Sequence, residues 1–299
     1  MLEPRQLSGN QGLHMNQRAF LSCLAFAMPM MSLAQDGIFP PPATEPPVDF
    51  NLPAAELGIF GGFGNKVLKP SGTGPFPVAV IGHTCGGVTR PHIRDRAKEL
   101  LAAGYMVVPI DSYGPRGISS CRGQTKVNQR HQVRDAYAAL DMLSRLPEVD
   151  QRRIYYTGYS AGGMAGPMLA STRYVPAGEK PLRFRAIVSN YGSCVYQHGP
   201  TTPRIQLLPR QIDTPVLMLM AQEDKELRAA DCFPQLDEMK AAGQPVAWHV
   251  YADTYHAWDQ PGVQYTHTTG FGQSSIYQYS SSATTDSTRR MLEFFKQNQ

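Results

Sequence analysis

A serine set between glycines, Gly158-Tyr159-Ser160-Ala161-Gly162-Gly163, comes directly after the β-like run Arg153-Ile154-Tyr155-Tyr156-Thr157 and opens a small-residue run with helical propensity. A strand that turns this abruptly into a helix leaves no room for a Cβ at Gly158 or Gly162, because either would collide with neighbouring backbone. The same turn lifts the Ser160 hydroxyl to the head of the helix. The chain must therefore supply a sheet for the strand and a helical layer for the small-residue run.

The rest of the sequence meets that demand. Val78-Ala79-Val80-Ile81, bounded by Pro77 and Gly82, is a continuous apolar run of the kind found in strands covered on both faces. A helix is expected over residues 94–103, stopped by Gly104, and a second buried strand over 105–110. Residues 128–146 place Val133, Tyr137 and Leu140 on one helical face and end at Pro147. Further strands are expected at 185–191, 215–221 and 247–251, with helices at 232–242 and 284–297. Strands alternating with helices over this length predict an α/β fold, a mostly parallel sheet with helices on both faces. The stretch 260–282, rich in Tyr, Thr, Ser, Gln and Gly without apolar period, breaks the alternation. It reads as a solvated surface loop or as a lid that contacts substrate.

The 299 residues carry a net charge of +4 from 28 basic and 24 acidic side chains, scattered rather than gathered into a basic stripe. That distribution excludes a nucleic-acid partner from the expected ones. Near the N-terminus, Arg18 precedes an apolar stretch from Ala19 to Leu33, and Ser32-Leu33-Ala34 offers the small residues of a processing site. Residues 1–34 are read as a signal peptide and 35–55, with six prolines from Pro40 to Pro53, as a linker or strap. Residues 57–68, with four glycines, suggest an edge hairpin, and 56–299 a single catalytic domain. The apolar stretch is too short and interrupted for a permanent membrane anchor, so a secreted or periplasmic location is expected. Cys85, Cys121, Cys194 and Cys232 remain after processing. In an open α/β sheet each falls in a loop just beyond a strand's carboxyl end, which favours pairing Cys85 with Cys121 and Cys194 with Cys232 over free buried thiols.

A serine hydroxyl needs a base to remove its proton, and a histidine base needs a carboxylate to fix its tautomer. Of the eight histidines, His256 lies just past the last expected strand, where a loop can lean over the sheet. The acid should come after the strand at 215–221, where Glu223 and Asp224 both stand; Asp224 leaves room for one strand and helix on each side. The oxyanion of an acyl-transfer intermediate needs backbone donors. Ala161 N–H, next to the nucleophile, is one. The other comes from His83-Thr84-Cys85-Gly86-Gly87, with Cys85 N–H first and Thr84 N–H second, while His83 braces the loop.

These segments resemble the dienelactone hydrolase-like branch of the α/β-hydrolases. The resemblance rests on the His83–Gly87 loop, Asp111-Ser112-Tyr113-Gly114-Pro115-Arg116-Gly117, the 158–163 turn, Asp224 with Cys232 beyond it, and Tyr255-His256-Ala257-Trp258-Asp259. It covers Phe76 to the C-terminus apart from 260–282. It implies a serine hydrolase acting on small-molecule esters or lactones without metal or organic cofactor. Catalysis would fall to Ser160, His256 and Asp224, with Ala161 and Cys85 holding the oxyanion. It also puts Arg116 at the mouth of the site, either clamping a substrate carboxylate or pairing with Asp111 or a backbone carbonyl. Two departures stand out: the namesake enzyme uses a cysteine nucleophile where this chain has Ser160, and Thr84 replaces a common glycine. A peptidase of the prolyl-oligopeptidase kind shares the residue order but adds a propeller that the segment before Phe76 is too short to supply. A non-catalytic binding protein on the same fold has no need of nucleophile, base, acid and glycine loop together.

Overall fold

The computed structural model describes residues 68–122, 126–175 and 182–299. The expected signal peptide, the proline-rich strap and almost all of the 57–68 edge hairpin lie outside these residues. Among the described residues no helix is long and apolar enough to cross a membrane.

In chain order the strands are β1 (Phe76–Gly82), β2 (Met106–Ile110), β3 (Val149–Tyr159), β4 (Ile187–Asn190), β5 (Val195–Tyr196), β6 (Ile205–Gln206), β7 (Val216–Ala221), β8 (Val246–Tyr251), β9 (Gln264–Thr268) and β10 (Ser274–Gln278). Six of them form a parallel central sheet in the order β2-β1-β3-β4-β7-β8. The crossovers are α1 (Pro91–Ala102), α2 (Gln129–Leu143), α3 (Ala161–Leu169) and α4 (Phe233–Ala241), and α5 (Ser281–Gln297) ends the chain. Every strand and long helix expected from the sequence is present, with boundaries moved by a few residues. Two short antiparallel pairs, β5 with β6 and β9 with β10, were not anticipated.

Alternation along β1 feeds two cores. Val78 and Val80 join Met106, Val108, Tyr137, Leu140 and Met168 under α2 and α3, whereas Ala79 and Ile81 join Ile93, Leu100, Val107, Met291 and Phe295 under α1 and α5. A parallel strand covered on both faces must be apolar at every position, which is why the β1 segment shows no polar alternation.

The helix α3 is pressed onto the carboxyl ends of β1 and β3. A Cβ on Gly158 would lie 2.1 Å from the Gly162 carbonyl oxygen, and one on Gly162 would lie 2.4 Å from the Gly82 carbonyl. Backbone groups tie the crossing: Gly162 N–H donates to His83 O at 2.9 Å, Ser160 N–H to Asn190 O at 3.0 Å and Tyr156 Oη–H to Gly162 O at 3.0 Å. Both expected disulfides are formed, Cys85–Cys121 with a Cα separation of 4.9 Å and Cys194–Cys232 with 5.5 Å. Each joins loops at the carboxyl edge of the sheet.

So tight a crossing leaves no tolerance for an added methyl group. Gly158→Ala should lose about 3 kcal/mol or more, since no flexible side chain can yield to it. Gly243→Ala, where φ is +70° but nothing lies within 4 Å, should lose only about 1 kcal/mol. Urea unfolding midpoints that coincide for the two variants would contradict the packing argument.

Candidate active site

Ser160 sits between β3 and α3 with φ 52° and ψ −109°, a conformation that a non-glycine residue adopts only when its surroundings enforce it. Asn190 O, the α3 backbone and the Gly82 segment do so here. The Ser160 Oγ lies 3.0 Å from His256 Nε2. His256 comes after β8 on a loop folded over the sheet, and its Nδ1 is 2.6 Å from Asp224 Oδ2.

Asp224 comes after β7. Its other oxygen, Oδ1, accepts the N–H groups of Glu226 and Leu227, each at 2.9 Å, so both carboxylate oxygens are committed. Glu223, the alternative acid, instead pairs with Lys225 at the surface. The structure thus brings Ser160, His256 and Asp224 into one buried hydrogen-bonded line. Burial of the imidazole penalises its charged form. The Asp224 charge and hydrogen bond, with smaller contributions from Glu226 and Asp259, outweigh that penalty and hold the His256 pKa above its ordinary value. With Nδ1–H directed to Asp224, Nε2 is left as an acceptor toward the serine.

His83 braces the loop after β1, as expected. Its Nδ1–H donates to Thr84 O at 2.7 Å, and its Nε2 accepts Ser112 N–H at 3.2 Å. Those roles require the neutral ring, and burial lowers its pKa, against weaker opposition from the Thr84 carbonyl and from Asp111 and Asp135. The next turn directs Gly86 N–H onto Thr84 Oγ1 and Gly87 N–H onto Thr84 O. The amides of Cys85 and Ala161 have no acceptor among the described residues. Gly162 N–H on His83 O fastens this loop to the head of α3, and the Cys121 bridge fixes it from the other side.

Arg116 stands in a short turn at residues 114–116 and forks onto Asp135 of α2, with Nη1 to Oδ2 at 2.7 Å and Nη2 to Oδ1 at 2.8 Å. Nη1 also donates to Ser112 O at 2.9 Å. The expected partner Asp111 is otherwise employed, accepting Tyr113 and Gly114 N–H. The fork that a substrate carboxylate would need is thus occupied by a buried aspartate of the chain itself.

Two groups around His256 were not found from the sequence. Tyr191 meets the imidazole edge-on at 5.0 Å and donates its hydroxyl to Asp259 at 2.6 Å. Tyr277, in β10, meets it from another side at 4.7 Å and donates its hydroxyl to Glu226. Residues 260–282 are therefore not a solvated loop. They form a hairpin that packs on the base, with its tip at Gly270 against the His198 carbonyl. No apolar period marks them, because four of the five β9 residues and three of the five β10 residues are exposed, and the less exposed ones are His267, Ser275 and Tyr277.

The fold has counterparts among known proteins. The dienelactone hydrolase family profile matches residues 63–299. No curated protein sequence matches the chain. Among solved structures, a candidate dienelactone hydrolase of Klebsiella pneumoniae is 21% identical, covering 76% of this chain and 89% of its own, with a TM-score of 0.59. A dienelactone hydrolase-like promiscuous phosphotriesterase from metagenomic libraries is 19% identical, over 76% and 88% of the two chains, at 0.56. A thermophilic esterase of the planctomycete Thermogutta terrifontis, solved with butyrate bound, is 15% identical over 80% and 92%, at 0.58. At such identities these likenesses speak for the α/β-hydrolase fold alone, whereas the profile match spans most of the sequence: the chain belongs to the dienelactone hydrolase family.

Proposed function

We propose that this protein is a serine hydrolase of carboxylic esters or lactones that works through an acyl-enzyme. The observation that carries the reading is the unbroken line from Ser160 Oγ through His256 to Asp224, with spacings of 3.0 and 2.6 Å. Ser160 Oγ attacks the substrate carbonyl while His256 Nε2 takes its proton, and Asp224 stabilises the imidazolium that forms. The carbonyl oxygen becomes an oxyanion beside the free amides of Ala161 and Cys85, with Thr84 N–H the alternative second donor. His256 passes the proton to the leaving alkoxide oxygen, and the alcohol departs. Water, deprotonated by the same imidazole, then attacks the acyl-serine and releases the acid. Support for an exported location comes from the leader-like residues 1–34 and from the two disulfides, which persist in oxidising compartments.

We assign Arg116 a structural role. It neutralises Asp135, whose side chain is 2% exposed, and it holds the 114–116 turn through Ser112 O. Arg116→Met should cost about 3 kcal/mol of stability, because the aspartate is left buried and unpaired. Turnover of acidic and neutral esters should fall by the same factor; a selective loss on acidic esters would restore the clamp.

Ser160→Ala should abolish labelling by a fluorophosphonate probe and lower kcat by at least about 10⁴-fold, and Asp224→Asn should lower it about 10³- to 10⁴-fold. Labelling that survives Ser160→Ala would refute the nucleophile assignment, and a purified protein that neither labels nor cleaves any short-chain aryl ester would favour a binding role.

The pH profile is set by the environment of His256. Only the neutral imidazole can accept the serine proton, and its pKa is raised, so kcat/KM should fall with decreasing pH through a midpoint above the ordinary histidine value of about 6.5. Glu226 is one of the carboxylates favouring the imidazolium. Glu226→Gln should therefore move this acid limb to lower pH, and a limb that stays in place or moves upward would show that Glu226 does not act on the base.

A further inference from the structure

The hairpin β9–β10 interrupts the alternation of strands and helices between β8 and α5. Among the described residues, the exposed large apolar side chains are Tyr265, Phe271 and Ile276, at 43%, 44% and 36% exposure, and all three belong to this hairpin. Its register sets Tyr265 opposite Tyr277 and Thr266 opposite Ile276. Side chains alternate along a strand, so Tyr265, Tyr277, His267 and the fully buried Ser275 share one face, and Ile276 belongs to the other.

On the inward face the rings form a ladder. Tyr265 stacks on Tyr277 with centroids 4.6 Å apart and planes 19° from parallel, and Tyr277 meets His256 edge-on at 4.7 Å. The Tyr277 hydroxyl is anchored on Glu226, so this ring is fixed at both ends. Tyr265 has one face on Tyr277 and is 43% exposed, so it is linked to His256 through Tyr277 while part of its ring stays accessible.

Reaction geometry identifies which part of a substrate lies there. His256 Nε2 must reach the leaving oxygen to protonate it, so the alcohol part of an ester lies on the histidine side of the site. We propose that the Tyr265–Tyr277 stack is a platform for that alcohol part and makes the enzyme selective for esters of alcohols that carry an aromatic ring. This rests on the esterase reading above. A flat aromatic group can offset-stack on the exposed part of Tyr265, and because that ring is already stacked on Tyr277, little side-chain freedom is lost when the substrate arrives. An aliphatic alcohol of two carbons is too small to cover the platform.

Three esters test the proposal: 2-naphthylmethyl acetate, with the ring in the alcohol; ethyl 2-naphthylacetate, with the ring in the acyl group; and ethyl acetate, with no ring. Wild-type enzyme should have its highest kcat/KM on the first. Tyr265→Ala should lower that value about 3- to 10-fold and leave the other two esters within about twofold, and Tyr265→Phe should keep the wild-type preference. Equal loss on all three esters, loss confined to the naphthylacetate, or a Tyr265→Phe variant as impaired as Tyr265→Ala would overturn the platform while leaving the esterase reading intact. Failure of the wild-type protein to cleave any of the three would instead overturn the esterase reading, and the platform with it.

Discussion

The backbone of α3 meets the ends of β1 and β3 with no side chain between them, and the site depends on that contact. Helices and sheets ordinarily keep a layer of side chains between their axes. Here Gly82, Gly158 and Gly162 remove it, and the gap closes until Gly162 N–H reaches His83 O at 2.9 Å. This one approach has two effects. Ser160 is forced into a conformation with positive φ, which projects its hydroxyl off the sheet. The loop after β1 is also drawn against the first turn of α3, so its free amides share one edge with the amide of Ala161 at a helix N-terminus, where unpaired donors favour negative charge.

A second constraint is electrostatic. His256 is buried, and burial alone would leave it a weak base. The surrounding carboxylates reverse this, at different ranges: Asp224 in direct contact, then Glu226 and Asp259. Asp224 accepts two backbone N–H groups as well as the imidazole, so both of its oxygens are held in place. The rings of Tyr191 and Tyr277 close off the remaining sides of the imidazole, and each passes its hydroxyl to one of the other two carboxylates. The base is therefore held by packing that also arranges the charges acting on it.

The sheet and its helices were legible because parallel strands covered on both faces must be apolar throughout and because the helices end at Gly104 and Pro147. Ser160, His256 and the choice of loops were legible because the chemistry needs a tight turn and strand ends, and glycines and chain order report both. Spacing favours Asp224 over Glu223, and it is Asp224 that turns inward to His256. Two features were not legible. Of the partners weighed for Arg116 the backbone carbonyl is present, as Ser112 O, but the carboxylate is Asp135 rather than Asp111, because Asp135 lies on α2 with no sequence proximity to the 114–116 segment. The hairpin at 264–278 was hidden by its own composition, since polar residues on the solvent side and Tyr, His and Ser on the inner side erase the contrast on which strand patterns rely.

The division between what could be read and what could not has a physical origin. The groups proposed to make and break bonds sit on loops locked to the sheet: Cys85–Cys121 links the loops after β1 and β2, and Cys194–Cys232 links the loop after β4 to the start of α4. Their positions are fixed by backbone contacts and covalent bonds, which demand particular residues and so leave marks in the sequence. Beyond this locked edge, β10 meets His256 through the Tyr277 ring and through Gln278 N–H on His256 O at 3.2 Å, and most residues of β9 and β10 face solvent. On the proposed reading, changes on that surface would alter substrate preference without disturbing the line from Ser160 to Asp224, because the hairpin meets that line at His256 and leaves Ser160 and Asp224 to the locked loops.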